Sequence, residues 1–399
     1  MGIPLKWSVF LFSGFLFANL APAAHLHAQN TAGYSIRGRV FDAQTGQPVP
    51  HANAFLAHSM LGDAGDEQGI FQINNIPAGQ HELIVSVLGY ELYKKTLRLP
   101  AATPMILTVA LTPRIIPFPE IEISADTREW RKNLRRFSEQ LIGTSRNARM
   151  TEIENAYCLD FRVNDDTLIA TASEPLRIIN RGLGYKIYYV LESFRASRTT
   201  ARFSGLPRFD TLAAASSQQL RTWKERRKQA YQGSLRHFLT VLCANFDSVT
   251  TVLKRDPTLA ARLQRGEASS INLLSREGFV VYRLERPVGS PQTIRRQIDP
   301  YSLIRAGTHP EDRVLTFRGS LQVVYNRGAE QPEYLAYLRL GRWTRPYQTS
   351  LIEALQDSVT IDVRGRYFDT FALHTKGYWG WQRLAEMLPF EYSPAGPAN

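Results

Sequence analysis

The sequence predicts a mainly β, α+β protein, in which an N-terminal β-sandwich precedes a larger strand-rich α+β domain. Three observations lead to this prediction. Short alternating strands separated by turn residues fill positions 36–111. Pro113, Pro117 and Pro119 then interrupt the chain, because proline resists both helix and sheet ladder. After these prolines, amphipathic helical segments alternate with further strand-like runs.

The first region has the pattern of an all-β unit. Alternation places one set of side chains in a core and the other in solvent, as Leu83 and Val85 illustrate. Gly46, Gly69 and Gly79 fall at turns that are expected to need a positive φ. Strands that recur about every ten residues are typical of a sandwich rather than of βαβ units. The expected strands are Ile36–Val40, Asn53–Leu56, Ile70–Ile73, Glu82–Val87 and Met105–Leu111.

This region resembles the carboxypeptidase regulatory-like domain, a transthyretin-like (prealbumin-like) β-sandwich. The resemblance covers a minor part of the chain. It implies an accessory, non-catalytic module of exported envelope proteins of the Bacteroidetes type, which helps folding, mediates contacts or binds glycans. The matching residues are Ile36, Gly38, Val40, Asp42, Thr45, Gly46, Pro48, Val49, Ala52, Asp66, Glu67, Gly69, Phe71, Ile73, Ile76, Pro77, Gly79, Leu83, Val85, Ser86, Gly89 and Tyr90.

Residues 1–28 have the organisation of a secretory signal. Lys6 precedes the apolar run Trp7–Leu20, and small residues lead to an expected cleavage after Ala28. Cleavage after Ala23 is an alternative, and so is an uncleaved anchor, although the run is shorter than the roughly 20 residues of a membrane span. The chain is therefore expected in the periplasm, at the outer-membrane periphery or at the cell surface, and not to cross a membrane once cleaved.

The net charge of +12 lies almost wholly after Thr112. In an exported protein a basic surface favours anionic lipid or polysaccharide, not nucleic acid, as a contact. A merely solvated basic surface is the alternative.

Cys158 and Cys243 are the only cysteines, and their spacing matches no zinc or redox motif. An oxidising compartment permits a disulfide between them. The alternative is two buried free thiols, which their apolar neighbours in the sequence favour.

Two amphipathic helical segments carry many of the basic residues. The first is expected to begin with a capping box of Asp126 and Glu129 and to end at Gly143. The second is expected over Ser217–Phe246, with a break before Ser234, which caps its second part. Contact with an anionic surface is one role for these helices, and docking on their own domain is the other. The candidate contact residues are Arg131, Arg135, Arg221, Lys224, Arg227 and Lys228.

The other runs predict further strands and short helices. Tyr185–Phe194 is apolar or aromatic on both faces, which predicts a central strand. A short helix is expected over Pro257–Gln264, and an aromatic turn with a short helix over Tyr378–Leu388. Other strands are expected at 120–124, 156–161, 167–171, 176–179, 200–203, 278–284, 313–320, 321–325, 334–340 and 359–363.

The larger domain resembles the uncharacterised C-terminal region that accompanies such modules in envelope proteins. This resemblance implies no particular activity. Its carrying residues are Glu174–Leu176, Asn180, Leu183–Tyr185, Tyr231–Ser234, His237, Phe238 and Glu277–Phe279. The expected domain limits are 1–28 for the signal peptide, 33–112 for the sandwich, 113–125 for a linker with a short strand, 126–390 for the α+β domain and 391–399 for a tail.

The sequence predicts no catalytic, cofactor-binding or metal site. Zinc carboxypeptidases need a His-x-x-Glu pair and a distant His, and His309 has its glutamate one residue too close. No Gly-x-Ser-x-Gly elbow or phosphate loop is present, and Gly182-Leu-Gly184 lacks the rest of a dinucleotide motif.

Weaker candidates each have a structural alternative. His237 could be a general base or a packed histidine. Asp165 and Asp166 could hold Ca²⁺ or form a hairpin turn. Tryptophans could stack on sugar rings or fill a core; these are Trp343, Trp379 and Trp381.

The expected function is that of a non-catalytic, exported cell-envelope protein whose basic domain binds a protein partner or a glycan. An uncharacterised envelope hydrolase with its site in the C-terminal domain is the alternative. A deep pocket that holds His237 against carboxylates or hydroxyls would favour the hydrolase.

Overall fold

A computed structural model describes residues 33–99, 105–114, 128–198, 200–256, 258, 272–286, 292–340 and 345–394. Several predicted features lie outside these residues. They are the signal peptide 1–28, the strand 120–124, the capping residue Asp126, most of the helix Pro257–Gln264, Trp343 and residues 395–399 of the tail.

The N-terminal unit is a sandwich of two sheets. One sheet has the order β4-β1-β7, in which β1 and β7 run parallel, and the other has the antiparallel order β3-β2-β5-β6. The strands are β1 Tyr34–Asp42, β2 Asn53–Leu56, β3 Gly62–Ala64, β4 Ile70–Ile76, β5 Gly79–Ser86, β6 Tyr93–Leu99 and β7 Met105–Leu111.

The alternation in the sequence correctly predicts which face of each strand enters the core. Leu83, Val85 and Val109 are fully buried between the two sheets. The backbone at Gly69 has φ +71°, and a Cβ there would stand 2.3 Å from the carbonyl oxygen of Val40, so only glycine fits. The unpredicted strand β6 buries only Leu97 and Leu99, which explains its weak signal.

Within the described residues, the larger part contains three sheets and three helices of 14, 15 and 21 residues. The strands of the first sheet are β8 Thr151–Ile153, β9 Leu159–Asn164, β10 Thr167–Ala172, β11 Leu176–Asn180, β12 Tyr185–Ala196 and β13 Ala201–Thr211. The strands of the other two are β14 Phe279–Glu285, β15 Ile294–Gln297, β16 Ile304–Ala306, β17 Asp312–Leu315, β18 Ser320–Tyr325, β19 Gln348–Ala354, β20 Val359–Asp362 and β21 Leu373–Gly377. The helices are α1 Arg128–Leu141, α2 Ser217–Tyr231, α3 Leu235–Arg255, α4 Leu273–Arg276, α5 Pro332–Tyr337 and α6 Tyr378–Trp381.

Strand β12 is central, as the sequence predicts. It pairs with β13 along one edge and with β11 and then β10 along the other. A core of aromatic and aliphatic side chains, which includes Phe137 of α1 and Leu384 near the C-terminus, packs on this sheet. Residues 384–394, which we call the C-terminal segment, therefore belong to the same core as the first helix of the larger part.

A second core lies around α3. It joins that helix to a five-stranded sheet, β15-β14-β18-β19-β21, and to a three-stranded sheet, β16-β17-β20. The predicted break between α2 and α3 is confirmed, because Gly233 has φ +76° and the hydroxyl of Ser234 accepts a hydrogen bond from the His237 N–H at 3.1 Å.

The predicted strand 334–340 is wrong, because residues Pro332–Tyr337 form α5. Pro332 occupies the first helical turn, where its fixed φ suits a helix and its missing N–H costs nothing. Cys158 also differs from its prediction, since it ends a short 3₁₀ turn and strand β9 begins only at Leu159. The mainly β, α+β class is confirmed.

Candidate functional site

The loop between β2 and β3 joins the sandwich to the larger part. The His58 N–H donates to the carbonyl of Pro207 at 2.6 Å, and the Phe209 N–H donates to the carbonyl of Ser59 at 2.9 Å. On the other side, the Phe390 N–H donates to the carbonyl of His58 at 2.9 Å. One short loop is thus hydrogen-bonded both to β13 and to the C-terminal segment, and His58 adopts φ +62° to reach both.

Side chains extend this junction on either side of the loop. Phe55 and Ile84 of the sandwich form a small apolar cluster with Leu206 of β13. Beside it, the Lys94 ammonium lies 3.0 Å from Glu82 and 2.9 Å from Glu192 of β12. The sandwich and the larger part therefore share packed and polar contacts.

A cavity of about 360 Å³ lies in this junction, and we call it the junction cavity. Its walls come from the sandwich, from β13, from the α2–α3 connection, from the segment after β20 and from the C-terminal segment. Aromatic rings form much of the apolar wall. The lining rings are Phe203, Tyr231, Tyr367, Phe368, Trp379 and Phe390, and the polar or charged lining residues include His58, Gln80, His81, Lys94, Glu192, Arg236, Arg366 and Thr375.

A smaller cavity of about 290 Å³ adjoins the junction cavity, and we call it the basic cavity. It shares lining residues with the junction cavity and adds Arg364, Glu391 and Tyr392. The residues that line both are His81, Tyr231, Arg236, Arg366 and Phe390.

Arg366 is held by Asp362, and both side chains are almost fully buried, at 3% and 2% exposed. One carboxylate oxygen of Asp362 accepts the backbone N–H groups of Arg364 and Arg366, each at 2.9 Å. The other accepts the Arg366 Nε–H. The guanidinium carbon lies 5.0 Å from the ring centroid of Phe390. This pair fixes the Arg366 guanidinium between the two cavities.

Arg236, near the start of α3, holds the C-terminal segment in place. Its Nη1 donates to the carbonyl of Pro389 at 2.8 Å, and its Nη2 donates to those of Phe390 at 2.6 Å and Tyr392 at 2.9 Å. Burial lowers the pKa of the guanidinium. Arg236 therefore holds the C-terminal segment in the wall of both cavities, together with the backbone bond between Phe390 and His58.

His81 contributes a neutral imidazole to the cavity walls. Its Nε2 lies 2.8 Å from the carbonyl oxygen of Pro77, so Nε2 carries the proton. Burial, reinforced by the charge of Arg366, lowers its pKa to about 4.

His237 lies outside the lining of both cavities and is packed among aromatic rings. Its Nδ1 accepts the Gly233 N–H at 3.1 Å, and its ring centroid lies 4.9 Å from that of Phe279. Burial lowers its pKa to about 4. Among the described residues no carboxylate pairs with it, so the arrangement that would favour a hydrolase is not formed there.

The other sequence candidates take structural positions. Asp165 and Asp166 both have positive φ and form the turn between β9 and β10. Trp379 is 6% exposed and donates to the carbonyl of Gly233 at 2.7 Å, and Trp381 is 5% exposed. Both tryptophans are thus buried rather than exposed. Within the described ranges, no three His, Cys, Asp or Glu side chains cluster closely enough to hold a metal ion.

Most of the candidate basic residues are exposed on α1 and α2, and Arg227 is not. Its Nε donates to the carbonyl of Leu183 at 2.7 Å, and its guanidinium carbon lies 4.0 Å from the ring centroid of Tyr185. Arg227 is therefore an internal contact rather than a surface contact. The exposed residues are Arg131, Arg135, Arg221, Lys224 and Lys228.

The disulfide that the sequence left open does not form in this structure. Cys158 and Cys243 are both free and buried, and they belong to separate cores. Burial raises the pKa of the first thiol to about 11 and of the second to about 12. Both side chains act as small apolar groups.

Sequence reasoning missed His58, His81, Arg236, Arg364 and Arg366. They belong to no motif, and they come together only through tertiary contacts between the sandwich, α3 and the segment after β20. One weak signal was available: Asp362 precedes two arginines at an i+2 and i+4 spacing in a turn that contains Gly365.

The N-terminal unit belongs to the transthyretin-like class of β-sandwiches. Residues 36–120 match the family model of the CarboxypepD_reg-like domain, and the sandwich is a domain of this kind. No curated protein matches the chain. Among the residues that the structure describes, none of the helices combines the length and the apolar character that a membrane crossing needs.

Several solved structures are similar to parts of the chain. The major pilin subunit BcpA of Bacillus cereus shares 14% identity, with 20% of this chain and 30% of the pilin covered and a TM-score of 0.19. A DUF3823 family protein of Parabacteroides merdae shares 13% identity over 47% of this chain and 83% of its own, with a TM-score of 0.16. A putative carbohydrate binding protein of Bacteroides uniformis shares 9% identity over 45% of this chain and 99% of its own, also at 0.16. The chain spans between 30% and 58% of the first four structures found, and TM-scores this low fall short of a shared global fold.

Proposed function

We propose that this chain is a non-catalytic binding protein of the cell envelope and that the junction cavity binds a glycan. The observation that carries the proposal is the junction cavity itself, where aromatic rings and polar groups from several segments of the chain converge. Its volume of about 360 Å³ falls within the range of small-molecule sites.

The residues that line the junction cavity favour a sugar, rather than the flat surface of a partner protein, as the ligand. Phe203, Tyr367 and Phe368 line the cavity and are half-buried, so part of each ring is accessible for contact with a ligand. A sugar ring has apolar C–H faces and a rim of hydroxyls. Gln80 and Thr375 supply polar atoms beside the rings, as an apolar site with a few placed polar groups requires.

Glycan binding can be tested on the mature chain, residues 29–399, by isothermal titration calorimetry against a panel of envelope and capsular oligosaccharides. Thr370 is exposed and lines the cavity, so Thr370→Trp should block the entrance and lower affinity at least tenfold. The matched control is Thr108→Trp, which alters an exposed threonine of β7 away from this cavity. Binding that Thr370→Trp leaves unchanged, or no binding by the unaltered chain, would contradict the proposal. Release of cleaved sugar would replace it with the hydrolase.

Export rests on the signal-like organisation of residues 1–28, which precede the described part of the chain. Cell fractionation with N-terminal sequencing tests this part of the proposal. A mature chain that begins at Gln29 and sediments with the envelope is expected, and a full-length cytoplasmic protein would refute it.

A further inference from the structure

The basic cavity gathers three arginine side chains. Arg236, Arg364 and Arg366 all line it. Asp362 is the buried carboxylate nearby, and its oxygens already accept two backbone N–H groups and the Arg366 Nε–H. Glu391 also lines the cavity and accepts the Met60 N–H at 3.0 Å, and Glu311 lies close enough to attract Arg364. Among the described residues, Asp362 is the one of these carboxylates that bonds directly to a guanidinium group.

Two guanidinium N–H groups at this site are enclosed and unpartnered. Within the described part of the chain, neither the Nη2 of Arg366 nor the Nε of Arg236 has a hydrogen-bond partner. Arg366 is only 3% exposed, so bulk water cannot compensate for the missing bond. An enclosed donor without a partner is destabilising, and more so when it is charged, so folded proteins rarely leave one unused.

Arg364 adds a third free donor group. Its side chain is half-buried, and its guanidinium makes no hydrogen bond or ion pair with the described residues. Burial, reinforced by the neighbouring charge of Arg366, lowers its pKa. Two like charges held close together in a partly desolvated site are destabilising unless an anion joins them.

The two cavities are neighbours that share wall side chains, such as Tyr231 and Phe390. Arg236 and Arg366 line both cavities, so a ligand whose neutral ring lies against the aromatic wall has these arginines beside it. A neutral sugar would leave the half-buried Arg364 guanidinium without a partner, whereas an oxyanion would accept hydrogen bonds from it and lie beside the charges of Arg236 and Arg366.

We propose that the basic cavity binds the oxyanion substituent, a carboxylate or a sulfate ester, of an acidic glycan whose uncharged part occupies the junction cavity. This inference rests on the proposed function and narrows it to acidic sugars. A carboxylate or a sulfate ester fits this site because each has oxygens that accept paired N–H bonds from a guanidinium group.

The test compares four probes on the mature chain by calorimetry: glucuronic acid, glucose 6-sulfate, glucose and inorganic sulfate. The acidic sugars are expected to bind at least tenfold more tightly than glucose and to lose that advantage at high salt. Tighter binding of glucuronic acid would identify a carboxylate as the substituent, and tighter binding of glucose 6-sulfate would identify a sulfate ester.

Two variants locate the effect. Arg364→Gln should lower affinity for the acidic sugars about tenfold and leave affinity for glucose unchanged, since one charge-assisted hydrogen bond is worth about 1.4 kcal/mol or more. Arg305→Gln removes an exposed charge elsewhere and should change neither.

Each other outcome is decisive. Equal affinity for glucose and the acidic sugars, with no effect of Arg364→Gln, would overturn the acidic-glycan assignment and leave glycan binding intact. Inorganic sulfate that binds as tightly as glucose 6-sulfate would also overturn it, because the sugar would then add nothing. Failure of every sugar, acidic or neutral, would overturn the proposed function together with this inference.

Discussion

Replacing Arg236 with methionine tests whether the C-terminal segment is held by one side chain. Methionine keeps an unbranched apolar stem but removes the guanidinium that donates to the carbonyls of Pro389, Phe390 and Tyr392. Nη2 divides its bonding between two of these carbonyls, so the loss is closer to two full charge-assisted hydrogen bonds than to three. At about 1.5 kcal/mol each, this amounts to about 3 kcal/mol.

A second effect reduces this figure. Burial lowers the pKa of Arg236, which means that the folded protein pays to keep this charge away from water, and methionine removes that cost. The net loss of unfolding free energy is therefore expected to be about 2–3 kcal/mol. With a urea m-value of about 3 kcal/mol/M, the unfolding midpoint falls by about 0.8 M.

The assay has two readouts. Urea unfolding gives the free energy of unfolding. Limited chymotrypsin digestion followed by mass spectrometry reports cleavage after Phe390 or Tyr392, which should become rapid once the hydrogen bonds of Arg236 are lost. Lys224→Met is the control, because Lys224 is exposed on α2 and its replacement should change stability by less than about 0.5 kcal/mol. If Arg236→Met is no less stable than Lys224→Met and its C-terminal segment resists digestion, the hydrogen bonds of Arg236 are not what holds that segment.

Three further predictions concern buried groups and exposed charge. The pKa of His81 is about 4 in the folded chain and near 6.5 in the unfolded chain, so the unfolded chain takes up the proton first and stability should fall as pH drops from 6.5 to 4. In urea unfolding across this range, His81→Gln should make this fall shallower, whereas His309→Gln, which changes an exposed histidine, should not. A fall that is as steep in His81→Gln as in the unaltered chain would refute the assignment. Gly184→Ala should lower the free energy of unfolding by at least about 2 kcal/mol more than Gly319→Ala, as measured by thermal or urea unfolding. Both glycines have positive φ, but only at Gly184 would a Cβ lie 2.3 Å from the Trp223 ring. Equal decreases in the two variants would show that the Trp223 ring moves to accept the Cβ. The exposed basic residues of α2 should make the chain co-sediment weakly with anionic vesicles, and added salt should weaken this association. The triple variant Arg221→Gln, Lys224→Gln, Lys228→Gln should no longer co-sediment. If the unaltered chain does not co-sediment even at low salt, this contact is excluded.

Local patterns in the sequence predicted those parts of the fold that depend on local physics. Alternation in the sandwich predicted its buried faces, and the glycine and serine at 233 and 234 predicted where α2 ends and α3 begins. The error at Pro332–Tyr337 has the same origin, because a short aromatic run is compatible with either strand or helix until the proline at its start is weighed.

Arg227 shows that a signal can be present and overlooked. It lies four residues after Trp223 and four before Tyr231, both of which are buried, so helical periodicity places it on the same inward face. Its long stem and planar head then cover Tyr185 and bond to two backbone carbonyls. A count of positive charge along a helix therefore overestimates the charge that reaches the surface.

The candidate site depended on contacts that no local pattern encodes. His58 and Arg366 are separated by most of the chain, and they line one cavity only because the β2–β3 loop bonds to both β13 and the C-terminal segment. Removal of either the sandwich or the last ten described residues would open a wall of both cavities. For this reason the match of the N-terminal domain to a family of accessory modules does not identify these cavities, whose walls depend on the contact between this domain and the larger part, where Arg236 and Arg366 lie.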